Sequence, residues 1–203
     1  MTYDVARAYS DEWIARMKRE LAADYLTVAR ALVSSLKPAS VADIGCGPGL
    51  LLEPLVDEGV PVIYGCDGSS ASLARVREDL RAKTWLMDLR YDRPPPGRFD
   101  LVACLEVAEH IEEEYSERLV ETLTSLGPMI FFSAAAPGQG GEWHVNLRPL
   151  EYWDAIFARH GYALDWRTYH DWRQAISAPI HSAWWLLRNV VFFRQVQPGV
   201  QRT

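Results

Sequence analysis

The chain has 203 residues, 49% hydrophobic and 24% charged, which fits one globular domain with a full core. Its net charge of −6 argues against a nucleic-acid surface, and no apolar run approaches the ~20 residues of a membrane span. Cys46, Cys66 and Cys104 lie in or beside apolar runs; an odd count without framework spacing predicts reduced thiols in a cytoplasm, and the charged stretch from Met1 to Glu20 carries no secretory signal pattern.

Trp13, Ile14, Met17, Leu21, Tyr25, Leu26 and Ala29 recur at helical spacing, so 11–36 reads as one or two helices, broken at Lys37-Pro38. A first strand follows at 40–44. The next helix is expected over 49–58, with Pro54 as a blemish because an interior proline removes a hydrogen bond. Strand two is Pro61 to Cys66, closed by Asp67. Ser69 or Ser70 then caps a helix running to Arg81. A short strand covers 84–87 and stops at Asp88. The loop over 91–98 carries three consecutive prolines. Strand four spans 99–105 and runs into Glu106, helices extend to 126, and strand five covers 129–134. A glycine-rich loop, 137–141, precedes a helix over 150–160 with a Gly161 stop. A last strand pair is predicted at 163–169 and 189–195, joined by a helical insertion interrupted near Pro179. This alternation implies an α/β fold with a doubly wound, mostly parallel sheet and helices on both faces.

The most informative stretch is Val41-Ala42-Asp43-Ile44-Gly45-Cys46-Gly47-Pro48-Gly49. Glycines at every second position let a backbone approach a ligand at a strand-to-helix turn, where nucleoside cofactors bind in open α/β sheets. Asp43, Asp67 and Asp88 all fall at strand ends. A dinucleotide fingerprint reads G-x-G-x-x-G and faces a pyrophosphate. Here the spacing is G-x-G-x-G with an acid two residues ahead, which repels a pyrophosphate and favours a ligand bearing an amino group and a sulfonium.

The combination resembles the class I S-adenosylmethionine-dependent methyltransferases over roughly residues 38–165. The resemblance implies a seven-stranded Rossmann-like fold and cofactor contacts from Asp43, Gly45, Cys46 and Gly47 in the turn. It further implies Asp67 on the ribose hydroxyls with Gly68 beside it. Met87, Asp88 and Leu89 would surround the adenine, and Leu105 would lie near the methionine part. The expected organisation is a single methyltransferase domain over 1–203. It divides into a helical cap at 1–37, a cofactor-binding core at 38–165, and C-terminal strands with the insertion at 166–203.

After strand four comes Glu106-Val107-Ala108-Glu109-His110. Positions i, i+3 and i+4 share one helical face, so two carboxylates and an imidazole would converge there, with His144 as a fourth candidate from the loop after strand five. Such donors suit Mg²⁺ or Mn²⁺. The E-x-x-E-H segment with a later histidine resembles the metal site of small-RNA 3′-terminal 2′-O-methyltransferases, and a similar segment occurs in the ubiquinone-biosynthesis O-methyltransferases. The resemblance implies an ion that binds vicinal hydroxyls. Two other readings stay open: His110 or His144 as general base without a metal, and acids placed by the helix dipole alone.

Asn146 and Arg148 are candidates to orient polar substrate groups. The aromatic C-terminal third, with Trp184-Trp185-Leu186-Leu187, either roofs the pocket with the N-terminal helices or serves core packing, dimer contact or a membrane surface. The leading expectation is O-methylation of a small hydroxylated molecule, a diol, sugar or catechol, in the cytoplasm, with a homodimer left open. Metal-independent N-methylation, terminal RNA methylation and a non-catalytic cofactor-binding subunit are the alternatives.

Overall fold

The computed structural model describes residues 10–94 and 97–196. Pro95 and Pro96 of the proline loop, and the outermost parts of the expected cap and C-terminal region, lie outside the described residues. The strands are β1 Ser40–Ile44, β2 Val62–Asp67, β3 Thr84–Leu86, β4 Leu101–Leu105, β5 Met129–Ser133, β6 Tyr162–Leu164 and β7 Val191–Gln195. They form one sheet in the order β3-β2-β1-β4-β5-β7-β6. The sheet is parallel except for β7, which runs antiparallel to both β5 and β6. Strand order reverses between β1 and β4, so the crevice for a ligand opens at their carboxyl ends.

Side chains alternate across a strand, and here both faces are buried. Phe131 and Phe192 pack with α1 Asp11–Leu36, α2 Leu52–Asp57 and Trp172 of α7 Trp166–Ala175 on one face. Their neighbours Phe132 and Phe193 pack with α5 Ser116–Leu126 and α6 Leu150–Arg159 on the other. The remaining helices are α3 Ser70–Leu73, α4 Glu78–Arg81 and α8 Trp184–Asn189.

The 11–36 pattern forms the single helix α1. Ser10 caps it by accepting the Trp13 N–H at 3.2 Å, and Lys37, in a left-handed conformation before Pro38, ends it. Although 26 residues long, it is too charged to cross a membrane, and no other described helix is long and apolar enough.

Larger differences from expectation fall at α2, over 69–81 and at β6. α2 begins at Leu52, so Pro54 lies in its first turn, where no helical hydrogen bond is lost. The helix expected over 69–81 is two short pieces. Between them the Arg77 N–H donates to Glu53 Oε1 at 2.8 Å, and Lys18 Nζ donates to the Arg75 carbonyl at 2.7 Å and to Glu53 at 2.6 Å. These distant partners hold Arg77 extended and stop the helix. The strand expected to 169 ends at Leu164, because Asp165 accepts the Thr168 N–H at 2.9 Å and caps α7 instead.

Candidate active site

The chain leaves β1 into the glycine turn with Gly45 at φ 81° and Gly47 at φ 52°. A Cβ at Gly45 would run into Val107, so the turn can pack against the segment after β4 only without a side chain. At Gly47 nothing lies within 4 Å of a Cβ position, leaving open space over the backbone. The Gly45 and Cys46 N–H groups donate to the Cys66 carbonyl at 2.8 and 2.9 Å. Asp67 completes the cradle: Oδ2 accepts the Gly47 N–H and Oδ1 the Ser69 N–H, each at 2.8 Å.

A cavity of about 260 Å³ opens over this turn. Asp43, Gly45, Cys46 and Gly47 line it from the β1 end, and Asp67 and Gly68 from β2. Met87, Asp88 and Leu89 follow from the β3 end, and Leu105, Glu106 and His110 from β4 and beyond. Every residue expected around the cofactor thus faces one space. The sequence did not single out Val107, Ile111 or Arg90 at its wall; the α1 residues that close it, Trp13, Met17, Leu21 and Tyr25, belong to the N-terminal helix, one of the expected roofs. Their spacing of four was the signal, and it reads equally as a core stripe. Trp185 of α8 joins them, so the N-terminal helix and the C-terminal insertion both reach over the cavity.

Burial and the Asp67 charge push the Asp43 carboxyl up to about 7. Burial also raises Asp67 and Glu106, against the hydrogen bonds each receives. The Tyr25 phenol is raised by burial and by Glu106, Asp43 and Glu109, so it stays protonated at neutral pH. Burial works to raise Asp88 too, but hydrogen bonds from Arg90 outweigh it and bring that carboxyl below its ordinary value.

The expected helical face over 106–110 does not form. Glu106 adopts φ 54°, and only Ala108–His110 makes a single 3-10 turn. The Glu106 N–H donates to the Ser133 carbonyl at 3.1 Å and to its hydroxyl at 3.0 Å, which bends the chain off the strand axis. The Glu106 carboxylate accepts Asn189 Nδ2 at 3.2 Å and is absent from the cluster that does form. That cluster is Glu109, His110 and His144, with one donor atom of each within 4.8 Å of the others. The Val145 and Asn146 N–H groups donate to the Glu109 carbonyl at 2.9 and 3.0 Å, and His110 Nδ1 pairs with the Trp143 carbonyl at 3.2 Å. Gly141 admits the His144 ring, which a Cβ there would strike.

The Glu109 carboxyl is buried beside the Ala135 N–H, its own N–H and the Glu106 carboxyl, none of which closes a full hydrogen bond to it, and His144 Nδ1 is buried without a hydrogen-bond partner among the described residues. Burial and Glu106 raise the Glu109 carboxyl, while burial and His144 lower His110 to about 4, so its ring is neutral at pH 7. Two nitrogens and, once its proton is displaced, a carboxylate can take a cation, or a neutral imidazole can take a proton. Asn146 and Arg148 do not line the cavity. Asn146 Nδ2 donates to Ser116 Oγ at 3.0 Å, and Arg148 bonds Asn146 and pairs with Glu113, so both brace the loop.

The family described as "Methyltransferase domain" matches residues 13–176. The chain belongs to this family, within the class I S-adenosylmethionine-dependent group that its sequence resembles. Among curated methyltransferases, the ubiquinone biosynthesis O-methyltransferase of Stutzerimonas stutzeri is 32% identical over 158 residues, covering 74% of this chain and 63% of that protein. The chain spans 60% to 64% of the length of the first such relatives. Among solved methyltransferases, the sugar N-methyltransferase from Streptoalloteichus superposes with a TM-score of 0.68 at 17% identity, covering 97% of each chain. The magnesium protoporphyrin IX methyltransferase from Synechocystis, solved with bound S-adenosylmethionine, gives 0.61 at 20% identity, covering 93% of this chain and 88% of that one. At these identities the agreement is one of fold.

Proposed function

We propose that this protein transfers a methyl group from S-adenosylmethionine to a hydroxyl of a small molecule, aided by a divalent ion held by Glu109, His110 and His144. One observation carries the acceptor half: a buried carboxyl without a full hydrogen bond meets two imidazoles beside the glycine-turn cavity. Leaving such a group ionised and unpaired is costly; it either keeps a proton, as its raised carboxyl does in the absence of an ion, or gives that proton up to a cation. Bound there, Mg²⁺ or Mn²⁺ would supply Lewis acidity to an acceptor hydroxyl.

The donor half rests on the cavity. The backbone of Gly45 and Gly47 and the carboxylate of Asp43 suit the donor's amino group and sulfonium, Asp67 its ribose hydroxyls, and Asp88 its adenine. The bond from acceptor oxygen to methyl carbon forms as the carbon–sulfur bond breaks, releasing S-adenosylhomocysteine and the hydroxyl proton. Holding the two partners in line supplies much of the rate. In a reaction without the ion, His110 or His144 would accept that proton, His110 as a weak base because burial lowers it to about 4. The names of the curated relatives support oxygen as the acceptor atom, and the acidic charge supports a small acceptor over RNA. Three buried free cysteines suit a cytoplasmic setting.

Calorimetry should record S-adenosylhomocysteine binding, with Asp67→Ala weakening it about tenfold or more, in line with a lost charged hydrogen-bond partner; a chain that binds NAD instead would remove the donor assignment. The metal half predicts a Mn²⁺ paramagnetic-resonance signal that His144→Ala abolishes. It also predicts that EDTA stops methyl transfer in a screen of hydroxylated metabolites and that added Mn²⁺ or Mg²⁺ restores it. Full turnover in chelator would favour N-methylation or base catalysis by His110.

A further inference from the structure

Among the described residues, Asp88 is the one cavity-lining carboxylate paired with a cation. Arg90 grips it through two nitrogens, Nη2 to Oδ2 at 2.7 Å and Nε to Oδ1 at 2.9 Å, and the Arg90 N–H adds a third bond to Oδ1 at 3.0 Å. The Asp88 N–H in turn donates to Asp92 Oδ2 at 2.8 Å. The Arg90 side chain is only 10% exposed although it lines the cavity, whereas Asp88 keeps 34%. A forked guanidinium fixes the plane of a carboxylate as well as its charge, which an ammonium cannot do. The lone pairs not taken by Arg90 are left for a ligand in one orientation. The same guanidinium reaches Glu112 Oε1 at 3.2 Å, two residues beyond His110, so one side chain braces the turn after β3 against the segment carrying the metal-ligand candidates.

We infer that Arg90 is a positioning residue that presents Asp88 to the exocyclic amino group of a purine, and thereby makes the cavity discriminate adenine from a 6-oxo purine. An ionised carboxylate accepts from an amino group and repels a carbonyl oxygen at the same place. The inference rests on the donor reading above, and its test separates the two.

Calorimetric titration of the full chain with S-adenosylhomocysteine and with its deaminated counterpart, S-inosylhomocysteine, should show a preference of about tenfold or more for the adenine form, the discrimination expected of a site built around one hydrogen-bonding group. In Arg90→Ala and Arg90→Lys the preference is expected to fall to about threefold or less. Combining Arg90→Lys with Asp88→Asn should remove no more preference than Asp88→Asn alone, because the two residues act as one unit. If Arg90→Ala does not fold, the ratio measured in Arg90→Lys decides between the outcomes. Equal weakening of both ligands with the ratio intact would make Arg90 merely structural and overturn the inference, as would equal affinity in the unaltered protein. Binding of neither ligand by the unaltered protein would overturn the donor reading itself.

Discussion

Asp43 sits buried at the end of β1 with the Asp67 charge near it, and its carboxyl is held up to about 7. A folded value above the unfolded one means that the folded chain keeps a proton the unfolded chain loses. Between about pH 4 and 7 this residue therefore removes stability as pH rises, and above 7 the loss is complete. At ~1.4 kcal/mol per unit, the loss is on the order of 4 kcal/mol. Asp43→Asn is thus expected to raise the melting temperature at pH 8 and leave it nearly unchanged at pH 4, as calorimetric scans at the two values would record. The comparison must be made against the unaltered protein, because lowered His110 acts oppositely, losing stability as pH falls from about 6.5 through 4. Asp43 and the glycines were legible in the sequence because a turn's chemistry is local. Glu106 was not: its left-handed backbone depends on Ser133, and its carboxylate on Asn189, 83 positions away.

Helix α8 shows the same limit at the scale of an element. The sequence indicates a helical insertion near Pro179, but six residues of helix have little stability alone. What holds α8 is Asp24, buried in the middle of α1, which accepts the N–H groups of His181, Ser182 and Ala183 at 3.1, 2.6 and 2.7 Å. At its other end Asn189 bonds Glu106 and Gln139. Trp185, one turn before Asn189, is thereby fixed in the cavity wall. Asp24→Ala leaves three N–H groups without their acceptor, a loss of about 1–3 kcal/mol for each one that stays buried. Hydrogen exchange is expected to rise over 181–189 with little change in β1 and β4, and uniform exchange behaviour across the chain would argue against this latch. The helix break between α3 and α4 is of the same kind, since residues 75–77 follow helix-compatible chemistry until Lys18 and Glu53 are brought beside them.

Over the whole molecule, the sequence by itself determined the β-α alternation, the strand-to-helix glycine turn and the acids at the ends of β1, β2 and β3. Each depends on period, turn chemistry or strand length within a few residues, and in a parallel sheet these place the acids at one edge without further information. Only the tertiary structure decided that β7 inserts antiparallel between β5 and β6. It also decided that α1 and α8 close the cavity, and that His144 meets Glu109 and His110 while the neighbouring Glu106 carboxylate accepts Asn189. Those outcomes depend on which distant backbone groups need partners once the sheet has formed. Burial makes that requirement stringent, and short-range periodicity carries no record of it.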